Sequence, residues 1–447
     1  MTVRSPRTFS RLMSVILALA CSCCSADEPA QQTESAQQAG ARNNYRTSHF
    51  SVWTDLPAAE AQQLVDRLED TLTKAESYWK RPQRGSVQCF VARNLEAWHD
   101  RELPNPMARL LISRVGGVAV SYPDNDAGGN RSRIVVFAAA RPGVAEHESI
   151  HAYCGQTFGT TGPTWYREGM AQVMATAQDV EGEDGLLFPA DIAECLVNGP
   201  TMSLNAVVQS GDNIQKLCDA LQAKAVAHEG LVGLVPDSNW NDDDTRSLGD
   251  IKATYAWSWL ACQFLEHNPN YQSRFRAMGQ DYLAKQDTTA FGKWFDPVAP
   301  QLKFEYDFMV AHLTPGYRID LCAWDWNKRW KTLDRCRNVR TKVLAARGFQ
   351  PTGLLVTAGE VCSVQATGTW TIQKTGTALT SQGNPDGNGQ LEAVLLKDYQ
   401  LSEPFRVGSE GLFTAPQDGQ LYLRCRDAWN ALSDNDGSLA VVISRAN

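Results

Sequence analysis

Two histidines constrain this chain most, because they lie four positions apart in the segment His147–His151, which reads H-E-S-I-H. Positions i and i+4 of a helix lie on one face, so both imidazole rings can direct a nitrogen to one point. Imidazole nitrogens are common ligands of zinc, and a catalytic zinc keeps three protein ligands and one open position. Glu148 places a carboxylate beside the first histidine, where it can take a proton from water. The spacing therefore predicts a metal site on a helix that runs from about residue 142 to residue 158.

Glu168 can supply the third ligand, seventeen positions after His151. It lies in the segment Trp165–Ala171, W-Y-R-E-G-M-A, and Thr164 precedes that segment as a residue able to cap a helix. Residues 159–163, which contain glycine and proline, are expected to separate the two helices. The sequence thus predicts a second helix that carries the third ligand.

This H-E-x-x-H followed by E-G-x-A resembles the gluzincin clan of zinc metallopeptidases. The resemblance implies an α+β zincin-like domain, zinc bound by His147, His151 and Glu168, and Glu148 as general base and acid. One position departs from the thermolysin-like pattern: Gln172 stands where an aspartate orients a histidine. A catalytically inactive relative is the alternative reading of that departure.

A downstream tyrosine often hydrogen-bonds the oxyanion in this clan, and Tyr255 is our candidate by its order in the chain. Its alternative role is helix packing, since Tyr255 opens an aromatic helical run. Cys154 is expected to pack on the same helix as the histidines and not to bind the metal.

Upstream of these helices, the hydrophobic pattern predicts strand 49–53, helix 58–80 and strand 87–92, a β-α-β opening. Residues 117–121 and 133–137 are predicted to be further strands. Either of these is an interior strand or an edge strand that binds extended peptide by β-augmentation.

The N-terminus predicts export. Residues 1–26 contain three arginines, no acidic residue and a short apolar run, which is typical of a signal peptide. Cys21 follows a small residue and resembles a lipoprotein cleavage site, so a lipid anchor is the one membrane attachment we expect. Residues 27–44 are predicted to be a disordered linker. The formal charge of −8 argues against nucleic acid as a partner.

The part that follows is predicted to hold two domains, a metallopeptidase domain over 45–345 and an all-β sandwich over 346–447. In the second, glycine-rich turns separate short alternating strands at 353–356, 362–366, 420–424 and 439–444. The twelve cysteines fit an oxidising compartment, and Cys322 with Cys336 and Cys362 with Cys425 are hypothetical disulfide pairs.

The last hundred residues or so resemble the calcium-dependent galactophilic bacterial lectins, through turns such as Thr367–Trp370 and the stretch from Leu421 to Ser438. The resemblance implies that Asp427, Asp434 and Asn435 bind calcium, which in turn holds sugar hydroxyls. Asp434 departs from the asparagine of that family. A sandwich that binds no calcium, with an ordinary turn at these positions, is the alternative.

Together these patterns predict an exported zinc-dependent peptidase with a carbohydrate- or surface-binding module, whose partners are peptide or protein substrates and glycans. An endopeptidase is favoured, since no motif for a free amino terminus is found. One alternative is a catalytically inactive zinc-containing scaffold whose sandwich binds glycans. Another is a hydrolase of a different amide, such as a cell-wall cross-link.

Overall fold

The computed structural model describes residues 15–16, 43–99, 102–105, 108–123, 132–176, 185–211, 242–407 and 410–446. The chain divides into two compact units, each made of several segments. The first unit spans 1–177, 189–262 and 279–290, and the second spans 178–188, 263–278 and 291–447.

Six strands form the sheet of the first unit: β1 (Val15–Ile16), β2 (Asn43–Arg46), β3 (Phe50–Thr54), β4 (Val87–Ala92), β5 (Gly117–Pro123) and β6 (Ser132–Ala139). Their order is β1-β5-β6-β4-β3-β2. Strands β3, β4 and β6 run parallel, whereas β5 runs antiparallel to β6. Strand β5 is therefore the outermost strand of full length on its side, next to the two-residue β1.

The helices of the described chain are α1 (Ala58–Trp79), α2 (Ala108–Val115), α3 (Val144–Phe158), α4 (Thr164–Thr176), α5 (Ala190–Asn198), α6 (Leu204–Gln209), α7 (Asp242–His267), α8 (Gln272–Ala284), α9 (Ala290–Phe295) and α10 (Ala299–Ala311). Helix α1 buries Leu64, Leu68 and Leu72, one residue per turn, and connects β3 to β4. The predicted β-α-β opening is thereby confirmed.

One glycine of α3 lies close to β6, and one glycine of α4 lies close to α7. A Cβ atom at Gly155 of α3 would lie 2.4 Å from Cδ1 of Ile134 on β6. A Cβ atom at Gly169 of α4 would lie 2.5 Å from the backbone oxygen of Ser258 on α7. Real Cβ contacts are not this short. At Gly169 the contacting atom belongs to the backbone, so the approach of α4 to α7 requires glycine, whereas at Gly155 the end of the Ile134 side chain would have to shift.

Nine strands form the second unit's two sheets: β7 (Asn338–Leu344), β8 (Gln350–Val356), β9 (Val361–Thr371), β10 (Leu391–Lys397), β11 (Gln400–Leu401), β12 (Phe405–Arg406), β13 (Glu410–Thr414), β14 (Gly419–Cys425) and β15 (Asp436–Arg445). One sheet has the order β11-β10-β14-β8 with β12 on β10, and the other has the order β13-β9-β15-β7. Apolar side chains of both sheets form one buried cluster, which includes Val364, Leu395, Leu421 and Val441. A mixed α+β chain with a sandwich-like C-terminal region is thus confirmed.

The sandwich begins upstream of the predicted boundary at residue 346. Strand β7 pairs along its length with β15, from Asn338 opposite Ser444 to Leu344 opposite Ser438. Only one of its seven residues, Val343, is buried, so its sequence lacks the run of apolar residues that would have indicated a strand.

All eight described cysteines are free, so both hypothetical disulfide pairs are wrong. Cys362 and Cys425 are members of the buried cluster between the sheets, where they pack as apolar side chains. Burial raises the pKa of the Cys425 thiol to about 12 and that of Cys362 to about 11.

Residues 27–42 of the predicted linker and most of the predicted signal peptide lie outside the described residues, and export stays a prediction. The last two residues of the predicted linker, Asn43 and Asn44, are not disordered, because they pair with β3 as part of β2. Within the described part of the chain, none of the helices combines the length and the apolar character needed to cross a bilayer.

Candidate metal centre

Helix α3 presents the two histidines at its buried centre. It begins after Gly143, whose φ of 84° favours glycine, and ends at Gly159 with a φ of 75°. His147 and His151 are 2% and 1% exposed, and Glu168 of α4 is also 1% exposed. The predicted helices 142–158 and 164 onward are therefore confirmed, and their packing brings the three side chains together.

Three ligand atoms converge between α3 and α4. The two Nε2 atoms of His147 and His151 lie 3.0 Å apart, and each lies 3.3 Å from Oε2 of Glu168. In a tetrahedral site with ligands about 2.0–2.1 Å from zinc, ligand atoms lie about 3.3 Å apart. The observed spacing fits that geometry. Among the described residues this is the one group of three or more histidine, cysteine or acidic side chains with such convergence.

Gln172 fixes the orientation of the first histidine. Its Oε1 atom lies 3.1 Å from Nδ1 of His147, the distance of a hydrogen bond donated by the ring. A proton on Nδ1 leaves the lone pair of Nε2 directed at the other two ligand atoms. Gln172 therefore accepts the hydrogen bond from His147 that an aspartate accepts in the thermolysin-like pattern.

Arg167 holds the remaining oxygen of the third ligand. Its Nε atom donates to Oε1 of Glu168 at 2.6 Å. Burial alone would raise the pKa of Glu168, but the charge of Arg167 and the contacts of Glu168 with His151 and His147 hold that pKa well below its usual value. Glu168 is thus an anion, and its free oxygen faces the histidines.

The second histidine is held neutral. The pKa of His151 is lowered to about 4, chiefly by burial; the charge of Glu168 opposes this shift, and the charges of His147 and Arg167 contribute to it. A metal ligand must be the neutral imidazole. The ring is therefore ready to bind a metal ion at neutral pH.

Glu148 is fully buried next to β5, the second strand from one edge of the sheet. Neither of its carboxylate oxygens has a hydrogen-bond partner of normal geometry, although the backbone N–H of Ala119 on β5 acts on its pKa. Burial and the charge of Glu168 raise the pKa of Glu148 well above its usual value, against smaller effects of Arg167 and Ala119. A Cβ atom at Gly117 of β5 would lie 2.9 Å from Cγ of Glu148, so β5 passes directly over this carboxylate.

The other predicted residues lie elsewhere. Tyr255 of α7 is 8% exposed and belongs to a hydrophobic cluster with Phe90, Trp98 and Val135, and its catalytic role stays a prediction. Cys154 is buried on α3, where burial raises the pKa of its thiol, and it is not part of the convergent group.

The predicted calcium ligands lie together in the second unit. Oδ2 of Asp427, Oδ1 of Asp434 and Oδ1 of Asn435 are all buried with no hydrogen-bond partner. Burial raises the pKa of Asp427, the Ala428 amide and Asn435 lower it by hydrogen bonds, and the Asp434 charge raises it. Three oxygens in this state suit a hard cation, and calcium at this place stays a prediction.

Sequence reasoning missed Arg167 and the role of Gln172. Arg167 is the neighbour of Glu168 in the chain, and Gln172 lies one helical turn after it, so both share the local segment that carries the ligand. The i+4 spacing of Gln172 was the available signal, since it puts the amide on the ligand's face of α4.

Comparison with family models finds no match, and comparison with curated proteins finds none either. Among solved structures, the chain is similar to one described as "EclA N-terminal domain; PllA-like lectin". The identity is 23%, the match covers 24% of this chain and 96% of that chain, and the TM-score is 0.20. A likeness this weak supports no functional conclusion.

Proposed function

We propose that this chain is a zinc-dependent hydrolase that cleaves peptide bonds, with a zincin-like catalytic domain. The observation that carries the proposal is the convergence of His147, His151 and Glu168 beside Glu148, a buried residue whose carboxylate has no side-chain hydrogen-bond partner. Structural zinc sites are closed by four protein ligands, whereas catalytic sites use three. A group of three with an adjacent carboxylate therefore favours catalysis over a structural role.

The first task of these residues is to hold the metal. His147, His151 and Glu168 would bind zinc, which supplies Lewis-acid activation of water and of the substrate carbonyl when bound. Gln172 holds the His147 ring in the binding tautomer, and Arg167 keeps Glu168 ionised and oriented.

The second task is proton transfer, which we assign to Glu148. A carboxylate whose pKa is raised by burial accepts a proton from water more readily than an ordinary surface glutamate. Glu148 would take this proton on a carboxylate oxygen and return it to the nitrogen of the leaving amine. The oxyanion donor is assigned to Tyr255 only by its order in the chain.

Strand β5 supports an extended peptide as the substrate. It is antiparallel to β6, it passes over Glu148 at Gly117, and its outer edge pairs with Val15 and Ile16 opposite Val120 and Ala119. This edge is able to pair with an extended backbone, and a substrate would take the place that Val15 and Ile16 of the predicted signal peptide hold. A substrate bound there by β-augmentation would run past the metal ligands, as an endopeptidase requires.

The second unit would act as the binding module of an exported enzyme. A module that binds glycan or another surface raises the local concentration of the catalytic unit near its substrate. Calcium held by Asp427, Asp434 and Asn435 is one route to glycan binding, and a lipid at Cys21 is one route to a membrane. Both belong to the proposal.

The test is hydrolysis of a quenched fluorescent peptide library by the full chain and by Glu148→Gln. Because a general base contributes about 10²- to 10⁴-fold, the variant should lose cleavage by that factor while it retains zinc. Glu194→Gln, an exposed position on α5, is the matched control and should cleave as the unmodified chain does. Equal cleavage by Glu148→Gln would refute the role of Glu148. Zinc without cleavage by the unmodified chain would favour the inactive scaffold.

A further inference from the structure

A cavity of about 440 Å³ lies within the second unit, apart from the three predicted calcium ligands. Its volume is within the range of small-molecule sites. Four aromatic residues line it, namely Trp326, Trp330, Tyr399 and Tyr422. Side chains able to form hydrogen bonds also line it, namely Gln301, Lys397, Asp398, Asp418 and Gln420.

The aromatic wall is held in place from behind. Nε1 of Trp326 donates to Oε1 of the buried Glu305 at 2.6 Å. The Tyr422 ring packs 4.6 Å from Trp324 and 5.4 Å from Trp330, measured between centroids. Rings fixed in this way present a surface to a ligand without an ordering cost on binding.

The cavity rim contains a tyrosine in a backbone conformation that tyrosine does not favour. Asp398 and Tyr399 form the two-residue turn between β10 and β11, and both have positive φ, of 49° and 61°. Such turns favour asparagine, aspartate or glycine at the first position and glycine at the second, so tyrosine at the second position carries a conformational cost. The turn places the Tyr399 ring, which is 40% exposed, 6.0 Å from Trp326. Because glycine would fit this position without strain, the presence of tyrosine indicates that the Tyr399 ring has a function at the cavity.

Two polar atoms of the cavity lining have no hydrogen-bond partner. They are Oε1 of Gln301 and the hydroxyl of Tyr422, and both are buried. Leaving such a group unsatisfied costs about 1–3 kcal/mol. Both atoms are closed to solvent, so the hydroxyl groups of a ligand would pair instead with accessible polar side chains of the lining, such as Asp398 and Gln420.

We propose that this cavity binds a neutral saccharide. The apolar face of a sugar ring would stack on Trp326 and Tyr399, and its hydroxyls would pair with Asp398 and Gln420. A cationic ligand fits less well, because Lys397 lies on the rim and neutralises Asp418 through an ion pair of 2.9 Å. The proposal deepens the binding role under the proposed function, and it does not depend on zinc or calcium.

The test uses the full chain on an immobilised array of neutral, N-acetylated and acidic oligosaccharides, with and without EDTA. The informative variant is the double substitution Asp398→Asn with Tyr399→Gly. It gives the turn its favoured residues, so folding is retained or improved, while the rim ring is lost. Leu412→Ala, at a 70% exposed position on β13, is the control.

We expect binding of neutral saccharides that survives EDTA and Asp427→Asn and falls at least about tenfold in the double variant, a loss of about 1.4 kcal/mol. Gln420→Leu should weaken binding in the same direction, because it removes an accessible hydrogen-bonding group of the lining, and Leu412→Ala should not. Three results would overturn the proposal: no saccharide bound, equal binding by the double variant, or binding abolished by EDTA and Asp427→Asn alone. Peptide hydrolysis is read separately, so failure of the cavity and failure of the hydrolase are distinguishable.

Discussion

The hydrogen bond from His147 to Gln172 allows a quantitative test of the metal centre. Gln172→Ala removes the acceptor that lies 3.1 Å from Nδ1, and the ring then no longer has one favoured tautomer or orientation. Loss of such a partner lowers metal affinity about 10- to 100-fold. Gln172 is neutral and half-buried, so a loss near the lower end is expected, about 10- to 30-fold or 1.4–2 kcal/mol.

The assay is competition for zinc against a chelator of known affinity at neutral pH. Gln172→Glu should bind at least as tightly as the unmodified chain, because a carboxylate accepts the Nδ1 proton more strongly than an amide does. Thr176→Ala is the matched control on α4, since its hydroxyl donates to the backbone oxygen of Gln172 at 2.8 Å and not to a ring. A zinc affinity of Gln172→Ala within twofold of the unmodified chain would refute the assigned role, as would an equal loss in Thr176→Ala.

Two further predictions concern the packing and the charge of the same site. Gly169→Ala should destabilise the fold by about 1–3 kcal/mol in denaturant unfolding, since its Cβ would lie 2.5 Å from a backbone oxygen of α7. Gly249→Ala, with nothing within 4 Å, should instead stabilise by about 0.4–1 kcal/mol, and equal effects would contradict the packing argument. The metal-free protein should lose stability as pH falls from about 6.5 toward 4, because the pKa of His151 is lowered to about 4 and the unfolded chain binds a proton first. This loss reaches about 3 kcal/mol for His151 alone; the raised pKa of Glu148 opposes it above about pH 4.5, and the lowered pKa of Glu168 adds to it below about pH 4.5. His151→Ala should flatten the profile in that range, and an unchanged profile would contradict the assignment.

The helices and strands that the sequence predicts correctly have local signals, whereas others, such as α2, α5 and β7, were not predicted. The i, i+4 spacing of His147 and His151 and the leucines of α1 repeat within a few turns of one helix. Their bounds in the structure differ from the predicted ones by a few residues at most.

The contacts that tune the site depend on tertiary packing, which spacing does not encode. The convergence of Nε2 atoms on Glu168 requires α4 to pack against α3, and the approach of α4 to α7 in turn requires Gly169. For the same reason the hypothetical pairing of Cys362 with Cys425 failed, since both sit in one core without forming a bond. The aromatic cavity is lined by residues that are far apart in the sequence, from Gln301 to Tyr422, so no local pattern indicates it.

The most direct test of the central claim is the zinc content of the purified chain after dialysis against limiting zinc. We expect one zinc per chain, retained in Glu148→Gln, and lost in His147→Ala and in Glu168→Gln, since the first substitution spares the ligands and the other two remove one. An unmodified chain without zinc would contradict the account, and so would equal zinc content in His147→Ala.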